Sequence, residues 1–358
     1  MQKSGETQSG RQAPGDDRVS LGVFLGNFNH AQYLPGALNA LLAQEVRPSS
    51  ITVVDDGSSD DSLKILSDYA AREPTIRVQR NEANKGYITN ATEWLANCTH
   101  DYVYFAASDD MTLPSLFRTS LAQLRQNPRA GFCTSLCYIL DEGDTACKLA
   151  PSPLARTTPG FVSPTDAAKV LHRYGTWMWG TATIYRRESL LRAGGFDPSL
   201  YGYNDTYTSI LIALREGSCY IPEPQAIWRR FMRTSMSAMT LLNVERSAQI
   251  LSRTLERLKA DLDQQLLPGY RQRFVRRWLF DVLERQSANS ARIDDGALGP
   301  FLNRYAPDVE LLLPMLARLP LALRRSVLAL VLRPQDIMPA ISRRQGMAAR
   351  TIPVPQSA

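Results

Sequence analysis

The stretch ITVVDDGSSDDSLKIL, residues 51–66, changes character twice within a few residues. ITVV is a short, largely β-branched run of the kind that forms a buried strand. DDGSSDD is a polar turn, and Gly57 allows a sharp reversal. Ser59 or Asp60 can cap a helix whose apolar positions Leu63, Leu66, Tyr69 and Ala70 share one face. Strand, acidic turn and helix in direct succession are half of a crossover unit, so the rest of the chain is read for the other half.

The unit recurs on both sides. VSLGVFLG (19–26) reads as a first strand, NFNHAQ as a polar loop, and Leu34, Ala37, Leu38, Leu41 and Leu42 as one face of a helix. IRVQ (76–79) is a third strand, a helix follows around 88–97, and DYVYFAA (101–107) is a fourth strand. Strands alternating with helices predict a parallel, doubly wound sheet with helices on both faces. Such sheets bind ligands beyond the carboxyl ends of their strands. Three polar clusters fall there: Asn27 to His30, Asp55 to Asp61, and Ser108 to Asp110.

Beyond residue 150 the text changes. LAPSPLARTTPGFVSP reads as a long loop. A strand is expected over 180–185, then a short helix, a GGFDP turn, a helix from about Asp205 to Arg215, and the segment AIWRRFMRTSMS. Residues 241–345 read as wholly helical, with breaks near Pro268-Gly269, Asp295-Gly296 and Pro334. Residues 1–18 read as a disordered tail without the apolar core of a signal peptide, and 346–358 as a flexible tail.

Composition narrows the class. The 358 residues are 44% hydrophobic and 21% charged, which is ordinary for a globular chain. Five cysteines without CxxC spacing imply neither a disulfide framework nor a zinc site; reduced thiols point to the cytoplasm. No uncharged apolar run reaches the ~18 residues needed to span a bilayer. The net charge of +6 is uneven: from residue 241 onward 18 Lys and Arg face 11 Asp and Glu, while the remainder is close to balance.

Two acidic pairs carry candidate chemistry. Asp55 and Asp56 end a strand, where a carboxylate can accept from a nucleobase N–H or a ribose hydroxyl, or can simply shape a turn. Asp109 and Asp110 end the run DYVYFAA. Like charges so close repel at a half-buried strand end. A hard, oxygen-seeking cation such as Mg²⁺ or Mn²⁺ removes the repulsion and brings a diphosphate with it. No GxGxxG follows the first strand, and neither GxxxxGK[ST] nor G-x-S-x-G occurs, so dinucleotide, P-loop and serine-hydrolase readings lose their main support.

VSLGVFLGNFNHAQYLPGALNALLAQ, ITVVDDGSSDDSLKIL, NEANKGYITNATEWL, DYVYFAASDDMTLP and GTATIYRRESLLRAGGFDP, in this order over about residues 19–235, resemble the family 2 glycosyltransferases. The resemblance implies a GT-A fold over 19–240, a Rossmann-like mixed sheet with helices on both faces, followed by a C-terminal helical subdomain over 241–345. It implies an inverting sugar transfer from a nucleotide-diphosphate sugar, a UDP-sugar by default, in surface polysaccharide or glycoconjugate synthesis. Asn27 and Phe28 match the loop lining the nucleotide pocket. Asp56 matches the carboxylate that accepts from the base, with Asp55 beside it and Lys85 near the nucleotide or its phosphates. Ser108-Asp109-Asp110 occupies the DXD position, with Asp110 as direct metal ligand and Asp109 at the ribose or the metal.

The family's acidic pair after GGFD is reduced here to Asn204-Asp205, which makes Asp205 the expected base. The histidine usual after the last strand is missing from AIWRRFMRTSMS; Arg229, Arg230 or Arg233 could face the diphosphate instead. Trp177 and Trp179 could stack on an acceptor sugar or pack in the core. The arginine-leucine helices suit peripheral contact with the inner face of the plasma membrane, self-association, or packing on the catalytic domain. A glycan or lipid-linked acceptor is expected, and nucleic acid is not. The rival classes are a non-catalytic GT-A-like binding or scaffold protein and a sugar-phosphate nucleotidyltransferase, the latter lacking its glycine-rich basic loop.

Overall fold

The computed structural model describes residues 19–231, 236–289, 295–334 and 351–354. The N-terminal tail over 1–18 and Arg233 lie outside the described residues. The strands are β1 (Leu21–Asn27), β2 (Ser50–Asp55), β3 (Ile76–Arg80), β4 (Tyr102–Ala107), β5 (Met111–Thr112), β6 (Phe132–Asp141), β7 (Ala146–Leu149), β8 (Gly160–Val162), β9 (Thr183–Arg186), β10 (Ser218–Arg230) and β11 (Thr351–Pro353). The helices are α1 (Leu34–Leu42), α2 (Ser62–Arg72), α3 (Tyr87–Asn97), α4 (Leu116–Gln126), α5 (Pro164–Tyr174), α6 (Arg187–Arg192) and α7 (Asn204–Arg215). The C-terminal set is α8 (Met236–Leu242), α9 (Val244–Leu262), α10 (Tyr270–Asn289), α11 (Asp295–Tyr305), α12 (Pro307–Glu310), α13 (Leu313–Arg318) and α14 (Leu321–Leu332).

The main path of the sheet runs β11-β7-β6-β9-β4-β1-β2-β3, and β10 pairs with β5, β6 and β8. The first four strands are parallel, as the βα alternation requires. The expectation of a parallel sheet fails beyond them. β9 inserts between β4 and β6 and runs antiparallel to both, so the whole sheet is mixed. The expected strand over 180–185 begins only at Thr183, because Gly180–Ala182 form a 3₁₀ turn.

Period-two alternation in β1 feeds two cores. Leu21, Val23 and Leu25 face Leu34, Leu38 and Leu41 of α1 and Phe117 of α4. Phe24 faces the other way, into a core with Ala91 and Leu95 of α3 and Ile210 of α7. That second core continues without a break into Ile250 and Leu258 of α9, Trp278 and Leu279 of α10, and Leu328 of α14. The helical region expected as a subdomain therefore shares one core with the sheet face that carries α3 and α7.

A buried arginine reinforces that junction. Arg277 of α10 donates to the carbonyls of Leu171, His172 and Arg173 in the last turn of α5. Two other arginines of the run expected at a membrane surface form ion pairs on the protein exterior: Arg271 with Asp263 and Arg276 with Asp308, each at 2.7 Å. No helix among the described residues is long and apolar enough to cross a membrane.

Within the expected flexible tail, residues 351–353 form β11, which pairs antiparallel with β7. Ile352 and Val354 pack beside Met111, Cys147 and Ile227, and this burial holds the segment on the sheet. The loop around 150–163 contains β8, which pairs with β10. All five cysteines are reduced and buried.

Replacing Arg277 with Ala takes a donor from three helix-end carbonyls, of which Leu171 keeps the Gly175 N–H and His172 keeps Arg273, while Arg173 loses the bond at 3.0 Å. Urea denaturation should show a loss of about 2–3 kcal/mol; an unchanged midpoint would mean that this clamp contributes nothing to the junction.

Candidate active site

The loops after β1 and β2 are laced together before any ligand is considered. Asn27 donates to Asp55 at 2.9 Å, and the Ser58 N–H donates to the other Asp55 oxygen at 3.0 Å. Asn29, held at φ 54, accepts from the Ser59 N–H at 2.8 Å, and the Ala31 N–H donates to Asp60. Asp55, expected beside Asp56 at the nucleotide, is fully buried, and its two oxygens tie the loops after β1 and β2 together. Phe28 is 43% exposed.

Asp56 organises the next loop. It accepts from the Asn81 side chain at 2.7 Å and from the Lys85 and Gly86 backbone N–H groups at 2.9 and 2.8 Å. Burial alone would raise its pKa, but these bonds together hold it below the usual carboxylate value. Gly86 reaches this bond with φ 90, a conformation that suits glycine. The Lys85 ammonium, expected at the nucleotide or its phosphates, turns instead to Glu93 at 3.3 Å on the exposed surface. Its contribution here is its backbone N–H.

The SDD turn after β4 is held from three sides. Ser108 is buried and bonds His30 of the first loop at 2.9 Å. The Arg229 backbone N–H donates to Asp110 at 2.9 Å, and its guanidinium donates to the Asp109 carbonyl at 3.2 Å while lying over Tyr33. Burial raises the Asp109 carboxyl above the ordinary range, with partial relief from His30. Burial and then the Asp109 charge push Asp110 up further. Arg230, expected at the diphosphate, is paired with Asp141 at 2.6 Å. Arg229 is the arginine that meets the acidic pair.

Asp205 sits in the first turn of α7. Its Oδ1 accepts from the Thr206 N–H at 2.6 Å. Its Oδ2 lies so near Gly180 that a Cβ there would come within 2.5 Å. Burial raises the Asp205 carboxyl, a shift opposed by the Thr206 bond. Asn204, which replaces the first acid of the family pair, donates its side-chain amide to the Tyr201 carbonyl. Tyr201 is at φ 44, so this bond holds an unfavourable turn just ahead of Asp205.

Asp110 and Asp205 line one cavity of about 650 Å³, together with Trp179, Gly180, Thr181 and Trp228. Trp179 and Trp228 lie against each other with ring centres 5.5 Å apart. Trp177 is fully buried in the core, the packing place that the sequence offered as one of its two readings. The sequence reading missed Trp228, Tyr87 and Gly180 as lining residues. Trp228 lay in plain view in AIWRRF, but only the pairing of β10 with β5 and β6 brings it here.

Among the described residues no group of three His, Cys, Asp or Glu side chains is placed to hold a metal ion. The donor set is the adjacent pair Asp109 and Asp110, both strained by burial and mutual repulsion. Such a pair fits a hard cation that takes its remaining ligands from phosphate and water, not a cage made wholly of protein.

Residues 23–191 match the model of glycosyl transferase family 2. A glycosyltransferase of Nostoc sp. is 27% identical over 183 residues, which are 50% of this chain and 55% of that one. The GalNAc(5)-diNAcBac-PP-undecaprenol beta-1,3-glucosyltransferase of Campylobacter jejuni is 24% identical over 220 residues, 61% of this chain and 67% of its own. The chain thus spans about half to two thirds of the length of these curated relatives. Among solved structures, TarS 1-349 of S. aureus in complex with UDP-GlcNAc superposes with a TM-score of 0.59 at 17% identity, over 92% of this chain and 93% of that one. That likeness shows the GT-A fold with its C-terminal helices. The segment 23–191, which carries the Asp56 loop and the SDD turn, belongs to glycosyl transferase family 2.

Proposed function

We propose that the protein is an inverting glycosyltransferase that moves a sugar from a nucleotide-diphosphate sugar to an acceptor hydroxyl. The observation that carries this reading is the placement of Asp110 and Asp205 on one cavity at the carboxyl edge of the sheet. Asp205 Oδ2 takes the acceptor proton as the acceptor oxygen attacks the anomeric carbon. The bond from that carbon to the diphosphate oxygen breaks, and its electron pair leaves with the nucleoside diphosphate. Mg²⁺ or Mn²⁺ would be held by Asp110 and Asp109 and would neutralise the charge of the leaving diphosphate. Asn27, Phe28 and Asp56 surround the nucleotide, and Trp179 flanks the sugars.

A UDP-sugar donor and a carbohydrate or lipid-linked acceptor in polysaccharide or glycoconjugate synthesis accord with the relatives' names. TarS is described with UDP-GlcNAc, and a mannosyltransferase of Pyrobaculum calidifontis (16% identical, TM-score 0.51) with GDP-Man and Mn²⁺. The Campylobacter relative is named for a lipid-linked acceptor.

Turnover of a panel of sugar nucleotides with Mn²⁺ tests the reading. Asp110→Asn should abolish turnover and also the thermal stabilisation that Mn²⁺ with UDP gives the wild type; retention of both would remove the metal from the mechanism.

Asp205→Asn should cut kcat by about 10²–10⁴-fold with little change in donor affinity. The pH profile has a definite sign. The base works as carboxylate, and burial raises its pKa, so activity should fall with acid at a pH above the ordinary carboxylate range. The folded state also holds this proton more tightly than the unfolded chain, so stability declines as pH rises through the shifted range. Asp205→Asn should therefore melt higher than wild type at neutral pH, and a lower melting temperature would contradict the burial argument.

Gly180→Ala places a methyl against Asp205 Oδ2. The carboxylate must rotate, and kcat should drop by about 10²-fold with an unchanged melting temperature. A wild-type rate would show that this oxygen is not the one that takes the proton.

A further inference from the structure

The cavity that holds Asp110 and Asp205 does not end at the family domain. Its far wall is α10, through Asp281, Glu284 and Arg285. Their spacing of three and four residues puts them on one helical face. We propose that α10 builds the acceptor subsite of this enzyme and that this subsite takes a carbohydrate ring; the inference rests on the transferase reading above.

Three observations support it. First, α10 is held in register with the base. Trp278 meets Tyr203 edge to face with ring centres 5.1 Å apart, and Tyr203 immediately precedes Asn204 and Asp205. Arg277 pins the same turn of α10 to the end of α5. A ring bound on this wall is therefore fixed relative to Asp205.

Second, the wall mixes acceptors and donors. Asp281 lies 3.9 Å from Arg333, and Glu284 lies 2.6 Å from Arg325, with Arg285 beside both acids in sequence. Burial pushes the Asp281 carboxyl up to about 6, so donors that bond its ionised form are favourable there. Sugar hydroxyls both donate and accept, and this row offers partners for both roles.

Third, Trp179 and Trp228 line the same cavity, and an aromatic face suits the C–H face of a pyranose. A lipid chain would meet charge along this wall, with its desolvation cost. The volume of about 650 Å³ accommodates a donor sugar and one acceptor ring.

The test uses the full chain with UDP and Mn²⁺ filling the donor side. Methyl hexosides and methyl N-acetylhexosaminides are titrated calorimetrically against wild type, Asp281→Asn and Arg285→Gln. At least one glycoside should bind wild type, and each substitution should weaken it about tenfold, the loss of one hydrogen bond to a charged group. UDP affinity and melting temperature should stay close to wild type. Unchanged glycoside affinity in both variants, or a wild type that binds none of the glycosides, overturns the proposal. Equal losses of UDP and glycoside affinity also overturn it, since α10 would then serve the donor. A wild type that binds glycoside through these residues yet turns over no sugar nucleotide defeats the transferase reading while leaving the carbohydrate subsite in place.

Discussion

The bond from the Arg229 backbone N–H to Asp110 joins two parts of the sheet that the chain lays down far apart. Asp110 ends the parallel part, after β4. Arg229 lies near the end of β10, which pairs with β6 and with the short β5 just after Asp110. A carboxylate pushed toward neutrality by burial and by Asp109 is kept in place by a donor that cannot be moved without moving a strand. The constraint works in both directions. The sheet positions the acid, and the acid gives a strand-end N–H its partner.

This arrangement has a cost of its own. Asp109, Asp110 and Asp205 all have raised pKa values, chiefly through burial. Each is less comfortable as an anion in the folded chain than in water, so each subtracts from stability at neutral pH. Asp56 is the contrast. Burial raises it too, but its bonds to Asn81, Lys85 and Gly86 outweigh that penalty. One acidic group is spent on building the loop, whereas the other three keep a deficit of partners. Such a deficit is what a site has when its missing partners arrive with the substrate.

How much of this was legible follows from where the information lay. β1 to β4 and their helices were readable because each strand is followed at once by an amphipathic helix. The acidic clusters at their ends were readable for the same reason. β6 was missed although FCTSLCYILD is buried almost throughout. Its cysteines, threonine and serine dilute the apolar signal, and a strand buried on both faces has no alternation to reveal it. The insertion of β9 was beyond local reading, since antiparallel pairing with β4 and β6 depends on residues fifty or more positions away. Trp177 was ambiguous because an aromatic in the run GTWMWGT suits a core and a sugar site alike. The Lys85 ammonium was beyond local reading, since its partner Glu93 lies eight residues on, in the middle of α3.

The C-terminal helices are where local reading ran shortest, and physical reasoning says why. Their arginines and leucines fit an interfacial helix, a dimer contact or a packed wall equally well. The choice depends on what lies opposite. Here the opposite surface is the core around α3 and α7, and the polar groups opposite Arg277 are three carbonyls at the end of α5. An arginine is suited to that place because its planar fork can serve several carbonyls at once. Once α10 is docked in this way, its next turns face the cavity instead of solvent. A helix recruited to cover an apolar face thereby acquires a second role, because the same register that buries Trp278 brings Asp281 and Arg285 to the cavity that holds Asp205.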